Sequence, residues 1–106
     1  MPKYLVQASY TPEGAKGLLK DGGTKRRAAV EEMAFGLGGS LEAFYYAFGD
    51  ADVCVIVNAP DNVTAAAVSL AVNASGAVNL KTTPLLTPED IDQATKKSVS
   101  YRPPGH

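Results

Sequence analysis

Between Leu41 and Val57 the chain reads LEAFYYAFGDADVCVIV, and there apolar residues occupy both phases of a two-residue alternation. A hairpin with one solvated face alternates apolar and polar residues. Read as two plain strands, this one places Leu41, Ala43, Tyr45 and Ala47 on one face and Phe44, Tyr46 and Phe48 on the other. In the second strand Val53, Val55 and Val57 oppose Cys54 and Ile56. Both faces need cover. A chain this short has helices enough for one side of a sheet, so the other side needs a partner chain or an apolar ligand.

The remaining pattern supplies the elements. Lys3 to Tyr10 is rich in β-formers and stops at Thr11-Pro12-Glu13. Threonine caps a helix, proline suits the first helical position, and glutamate favours the positive helix end. The same trio recurs at Thr87-Pro88-Glu89, followed by Asp90 where a capping box carries an acid. Gly22-Gly23 breaks the first helix, and Thr24 is placed to cap a second stretch from Lys25 to about Leu37, ended by Gly38-Gly39. Gly49-Asp50-Ala51-Asp52 is the hairpin turn. Pro60-Asp61 opens an alanine-rich helix that stops at Gly76, and a last strand runs from about Ala77 to Leu86. A final helix follows Thr87 and frays near Ser98, and the proline-bearing tail 100–106 is extended.

The predicted order is β-α-β-β-α-β with a trailing helix. Two crossovers flanking a hairpin define a ferredoxin-like α+β sandwich. Its four-stranded antiparallel sheet is expected to carry helices on one face and to pack in an oligomer on the other. Residues 1–106 are expected to form one domain.

Composition narrows the partners. The formal net charge is -1, so no basic excess points to nucleic acid or an anionic membrane surface. No apolar run approaches the roughly 20 residues that span a bilayer. The opening segment MPKYLVQASY lacks the basic stretch and apolar run of a secretory signal, and with a single cysteine the expected compartment is cytoplasmic. Cys54, mid-strand, is read as a small buried hydrophobe.

The segments YLVQASYTPEG, GLLKDGGTKRRAAVEEM, LEAFYYAFGDADV and SLAVNASGAVNLKTTPLLTPEDI, taken in order, resemble the GYD domain family over roughly residues 3 to 101. The family is named for a Gly-Tyr-Asp signature at the hairpin turn. Gly49 and Asp52 match it, and Ala51 stands in the tyrosine's place, so no function that needs that tyrosine is implied here. The family resembles dimeric α/β barrel proteins, in which two ferredoxin-like sheets face each other. The resemblance therefore implies a homodimer or a higher homo-oligomer, and implies no activity.

Candidate chemistry is sparse. Lys25, Arg26 and Arg27 oppose the dipole of the helix they open, an arrangement suited to a bound phosphate or carboxylate. The bland alternative is neutralisation by Glu31 and Glu32 along a solvated face. Asp50 and Asp52 could divide acid and base roles, or serve the turn. Asp52 enters an apolar strand face, where an unpaired acid is costly, so it requires a base or backbone amides. Tyr10, Tyr45 and Tyr46 could line a cavity or pack with satisfied hydroxyls. Gln7 and Ser9 suit the wall of a small polar pocket. His106 is the only histidine and ends the chain, so a nitrogen–sulfur zinc site or a histidine triad has no material. No cofactor fingerprint is present.

Two readings follow: a homo-oligomeric binding or regulatory module for a small molecule or anion, or a cofactor-independent enzyme of the dimeric α/β barrel kind acting on a small apolar or aromatic substrate. A pure assembly protein without a pocket is a third. The residues placed at a ligand site are Tyr10, Lys25, Arg26, Arg27, Tyr46 and Asp52. A closed apolar chamber with a tyrosine or Asp52 facing inward would favour the enzyme.

Overall fold

The structure, a computed structural model, describes residues 1–106. Its elements are β1 (Lys3–Tyr10), α1 (Pro12–Asp21), α2 (Gly23–Gly36), β2 (Ser40–Tyr46), β3 (Val53–Asn58), α3 (Asn62–Ala74), β4 (Val78–Leu85) and α4 (Pro88–Thr95). The sheet has four strands in the order β2-β3-β1-β4, each pair antiparallel. This is the ferredoxin-like α+β arrangement that the element order predicts.

Helix starts follow the local chemistry. The Thr11 hydroxyl accepts the Gly14 amide, and the Asp61 carboxylate accepts the Thr64 amide. Thr87 and Asp90 form a full capping box. The break between α1 and α2 differs from the sequence expectation. Gly22, at φ 83° in the left-handed region, both ends α1 and caps α2. Its amide donates to the Leu18 carbonyl, and its carbonyl accepts the Arg26 amide. Thr24 already lies inside α2 and caps nothing, because a single glycine turns the chain without a Cβ penalty.

Strand β2 corrects the plain alternation. Its register against β3 shifts between Leu41 and Ala43, a β-bulge that seats Glu42 as the extra residue. Leu41 therefore joins Phe44 on the helix side, and both pack on the core. The Glu42 carboxylate is held by Lys3 at 2.5 Å, and Lys3 also reaches Asn58 at 3.0 Å.

The register sorts the sheet's two faces. Toward the helices lie the rows Phe44–Val55–Val6–Thr82 and Tyr46–Val53–Ala8–Leu80. Away from them lie Ala43–Ile56–Leu5–Thr83 and Tyr45–Cys54–Gln7–Lys81. The uncovered face is thus apolar over the hairpin and polar over β4. Cys54 is only half-buried, on this uncovered face.

The core is thin. Only five residues are buried, Tyr4, Ala8, Val53, Val55 and Val78, and of these Tyr4 is fully so. From Pro88 onward every residue is exposed, so α4 and the tail project as an arm carrying Ile91, Val99 and Tyr101 in solvent. The chain exposes 7704 Å², whereas a folded monomer of 11.0 kDa exposes about 5,600 Å². Its radius of gyration is 16.9 Å, against about 13 Å for a compact chain of this length.

Candidate functional site

Helices α2 and α3 lie on one side of the sheet, α2 against β2 and α3 against β4, and leave a trough between them. Each helix presents an apolar stripe at helical spacing: Val30, Met33, Ala34 and Leu37 from α2 and its end, and Ala65, Val68 and Val72 from α3. The sheet supplies the floor, including Tyr4, Val6, Phe44 and Val55. The alanine content of α3 keeps that wall thin. The cleft is open to one side and has a volume of about 120 Å³. An apolar cavity of about 150 Å³ is known to admit a benzene-sized molecule.

Of the 22 residues around this cleft, 18 are hydrophobic, so the four polar ones decide what it can recognise. Thr82 shares a 2.7 Å hydrogen bond with Ser69. The Asn58 amide is held by Ser40 and Lys3. Thr64 sits in the first turn of α3, its amide capped by Asp61. Arg26 forms no ion pair and no side-chain hydrogen bond, and it is the one charged residue on the wall.

Arg26 shares its end of the cleft with two tyrosines. Tyr10 lines the wall. Tyr46 stands beside it, edge-on to Phe44 with ring centroids 5.2 Å apart. The Tyr46 hydroxyl donates to the Gly23 carbonyl at 3.0 Å. Its ring lies so close that a Cβ on Gly23 would sit 3.0 Å from it, which accounts for a glycine at the first position of α2. Burial raises the Tyr46 hydroxyl above its ordinary 10.0; the neighbouring Tyr10 adds to the rise, and the nearby Arg26 charge opposes it. Tyr46 is therefore a neutral hydroxyl whose proton is held by a backbone carbonyl.

Asp52 serves the backbone. Its amide donates to the Ala8 carbonyl and its carbonyl accepts the Ala47 amide, each at 2.8 Å. Its carboxylate accepts the Tyr10 amide at 2.9 Å. One residue thus joins β1 to both arms of the hairpin and fixes the strand end from which Tyr10 enters the cleft. Of the residues singled out in the sequence, Tyr10, Arg26 and Tyr46 come together, and Asp52 stands behind Tyr10. Lys25 and Arg27 do not join them. Lys25 approaches Asp21 at 3.9 Å, and Arg27 is exposed. Successive helical residues point about 100° apart, so three in a row cannot share a site.

Gln7, Ser9, Asp50 and Ala51 border a separate hollow on the uncovered sheet face, with Asn79 and Lys81. Ser9 also donates to the Asp50 carbonyl at 3.3 Å. His106 lies in the tail, where its carbonyl accepts from Arg102. No group of three or more His, Cys, Asp or Glu side chains converges anywhere, and no helix is long and apolar enough to cross a membrane. The wall residues of α2 and α3 were not singled out in the sequence, although their apolar side chains recur at helical spacing. That they stand apart as facing walls depends on the helix placement, which periodicity does not carry.

Fold and site together define a ferredoxin-like α+β protein with an apolar cleft between sheet and helices. The chain belongs to the GYD domain family, whose model matches residues 4–95. No curated protein and no solved structure gives a significant match to the chain.

Proposed function

We propose that the protein is a homo-oligomeric, cytoplasmic binding module that takes a small apolar molecule into the cleft between α2, α3 and the sheet. The observation that carries this reading is the cleft itself, apolar on its floor and both long walls and of about 120 Å³. The test fills it from within. In Val68→Phe the added ring occupies the space between the walls, so toluene binding followed by protein NMR is expected in the wild type and lost in the variant. Absence of any toluene-dependent shift in the wild-type cleft would overturn the reading.

The oligomer rests on area. The excess over a compact monomer is about 2,000 Å² per chain, or about 4,000 Å² for a pair, within the 2,000–5,000 Å² that obligate interfaces bury in total. The uncovered sheet face with Leu5, Ile56 and Tyr45 is the surface that a second copy would cover. The projecting arm adds further apolar surface.

The alternative, a cofactor-independent enzyme, would use a tyrosine and an acid at the cleft. Tyr46 is held protonated and Asp52 is engaged by a backbone amide. Both observations favour binding over chemistry.

A further inference from the structure

We propose that the molecule held in the cleft is a monoanion, an apolar body no larger than one aromatic ring bearing a single carboxylate, with the carboxylate bound by the Arg26 guanidinium. This rests on the cleft being a ligand site and specifies the ligand's class.

At the polar end the Tyr46 proton goes to the Gly23 carbonyl, and the one charged group on the wall, Arg26, is left without a partner. Arg26 is half-buried on the wall, and the chain's two side-chain ion pairs, Lys3–Glu42 and Lys25–Asp21, leave it out. Glu31 and Glu32, which could have neutralised it along the helix, are exposed and unpaired.

A partly desolvated charge beside apolar walls is unfavourable until it is paired. A guanidinium offers a planar fork that matches a carboxylate through two parallel hydrogen bonds. The charge is single, so a dianion such as a phosphate monoester would bring one negative charge too many into an apolar surrounding. The volume limits the apolar part to about one ring, by comparison with cavities that admit benzene.

The experiment compares benzoate, benzamide and toluene by protein-observed NMR titration on the wild type and on Arg26→Met, which keeps the length of the side chain without its charge. Benzoate is expected to bind the wild type at least ten-fold more tightly than benzamide, and Arg26→Met is expected to erase that preference while toluene still binds. Equal affinity for benzoate and benzamide in the wild type would overturn the carboxylate assignment while toluene binding kept the cleft reading intact. Failure of all three ligands would remove both. If Arg26→Met does not fold, the wild-type Arg26 Nε–H resonance decides: it is expected to shift downfield with benzoate and not with benzamide, and an unmoved resonance would overturn the assignment.

Discussion

The Asp52 carboxylate accepts the Tyr10 amide at 2.9 Å, just beyond the last paired residues of β1 and β3, Ala8 and Val53. A side-chain oxygen thus continues the ladder where the strands part. This gives the aspartate at the turn a concrete task, which does not need a tyrosine at position 51. Replacing Asp52 by alanine leaves the Tyr10 amide without its acceptor. The expected cost is about 1–3 kcal/mol, read from urea unfolding, with faster hydrogen exchange at Tyr10. Asp52→Asn keeps an acceptor oxygen, and its loss is expected to be smaller. Equal stability of wild type and Asp52→Ala would remove the bond's structural role.

The charge of Arg26 lowers what burial and Tyr10 raise at the Tyr46 hydroxyl. Arg26→Met is therefore expected to move Tyr46 ionisation further upward, toward more alkaline pH. Ultraviolet titration of the phenolate, with Tyr46→Phe to assign the signal, checks the direction. A downward shift would mean that Arg26 does not face Tyr46.

Asp61 caps α3 through the Thr64 amide at 2.8 Å, and this bond holds its carboxyl below the ordinary 3.8. A depressed folded-state value means that the stabilisation is complete above the unfolded value and fades as pH falls through the lower folded one. Asp61→Asn retains a capping oxygen without a titration. Its stability difference from wild type is expected to be constant at neutral pH and to change only on acidification below about pH 4. A difference that already varies at neutral pH would assign the dependence to another group.

Much of this architecture was legible because it is written in short-range chemistry. Thr11-Pro12-Glu13, Asp61 and Thr87 each meet their amides within three residues. Gly22-Gly23 marked the helix break, although one glycine does the work assigned to two residues and a threonine. The bulge at Glu42 was not legible, because it is defined only against β3. Plain alternation therefore placed Leu41 on the wrong face of the sheet. The site was half legible. The triplet Lys25, Arg26, Arg27 announced charge near a helix start. Only the rotation of α2, set by Gly22, turned Arg26 inward and left its neighbours in solvent.

The uncovered face yields a prediction about assembly. Ile56 pairs with Leu5 at its centre. Ile56→Asp would place a charge there without touching the helix-side core. Light scattering at micromolar concentration is expected to find a homo-oligomer for the wild type and a smaller species for Ile56→Asp. A wild-type mass near 11.0 kDa would end the oligomer reading.

A different prediction concerns Ala51, which borders the hollow with Gln7 and Ser9. The hollow has a volume of about 220 Å³. Ala51→Tyr is expected to fold with an unchanged or higher thermal midpoint, because its ring finds space beside these strands. A clear loss of stability would show that the turn has adapted to the small residue.

The bulge has one further consequence, for how copies of this chain can grow together. The sheet ends at β2 on one side and at β4 on the other. On β2 the ladder is interrupted at Glu42, whose charge is pinned by Lys3. On β4, Pro84 offers no amide hydrogen. Both borders resist the addition of another strand, which is how soluble β-proteins avoid open-ended polymerisation. The homo-oligomer proposed above would thereby be built through faces and arms, where symmetry can close an assembly at a finite size.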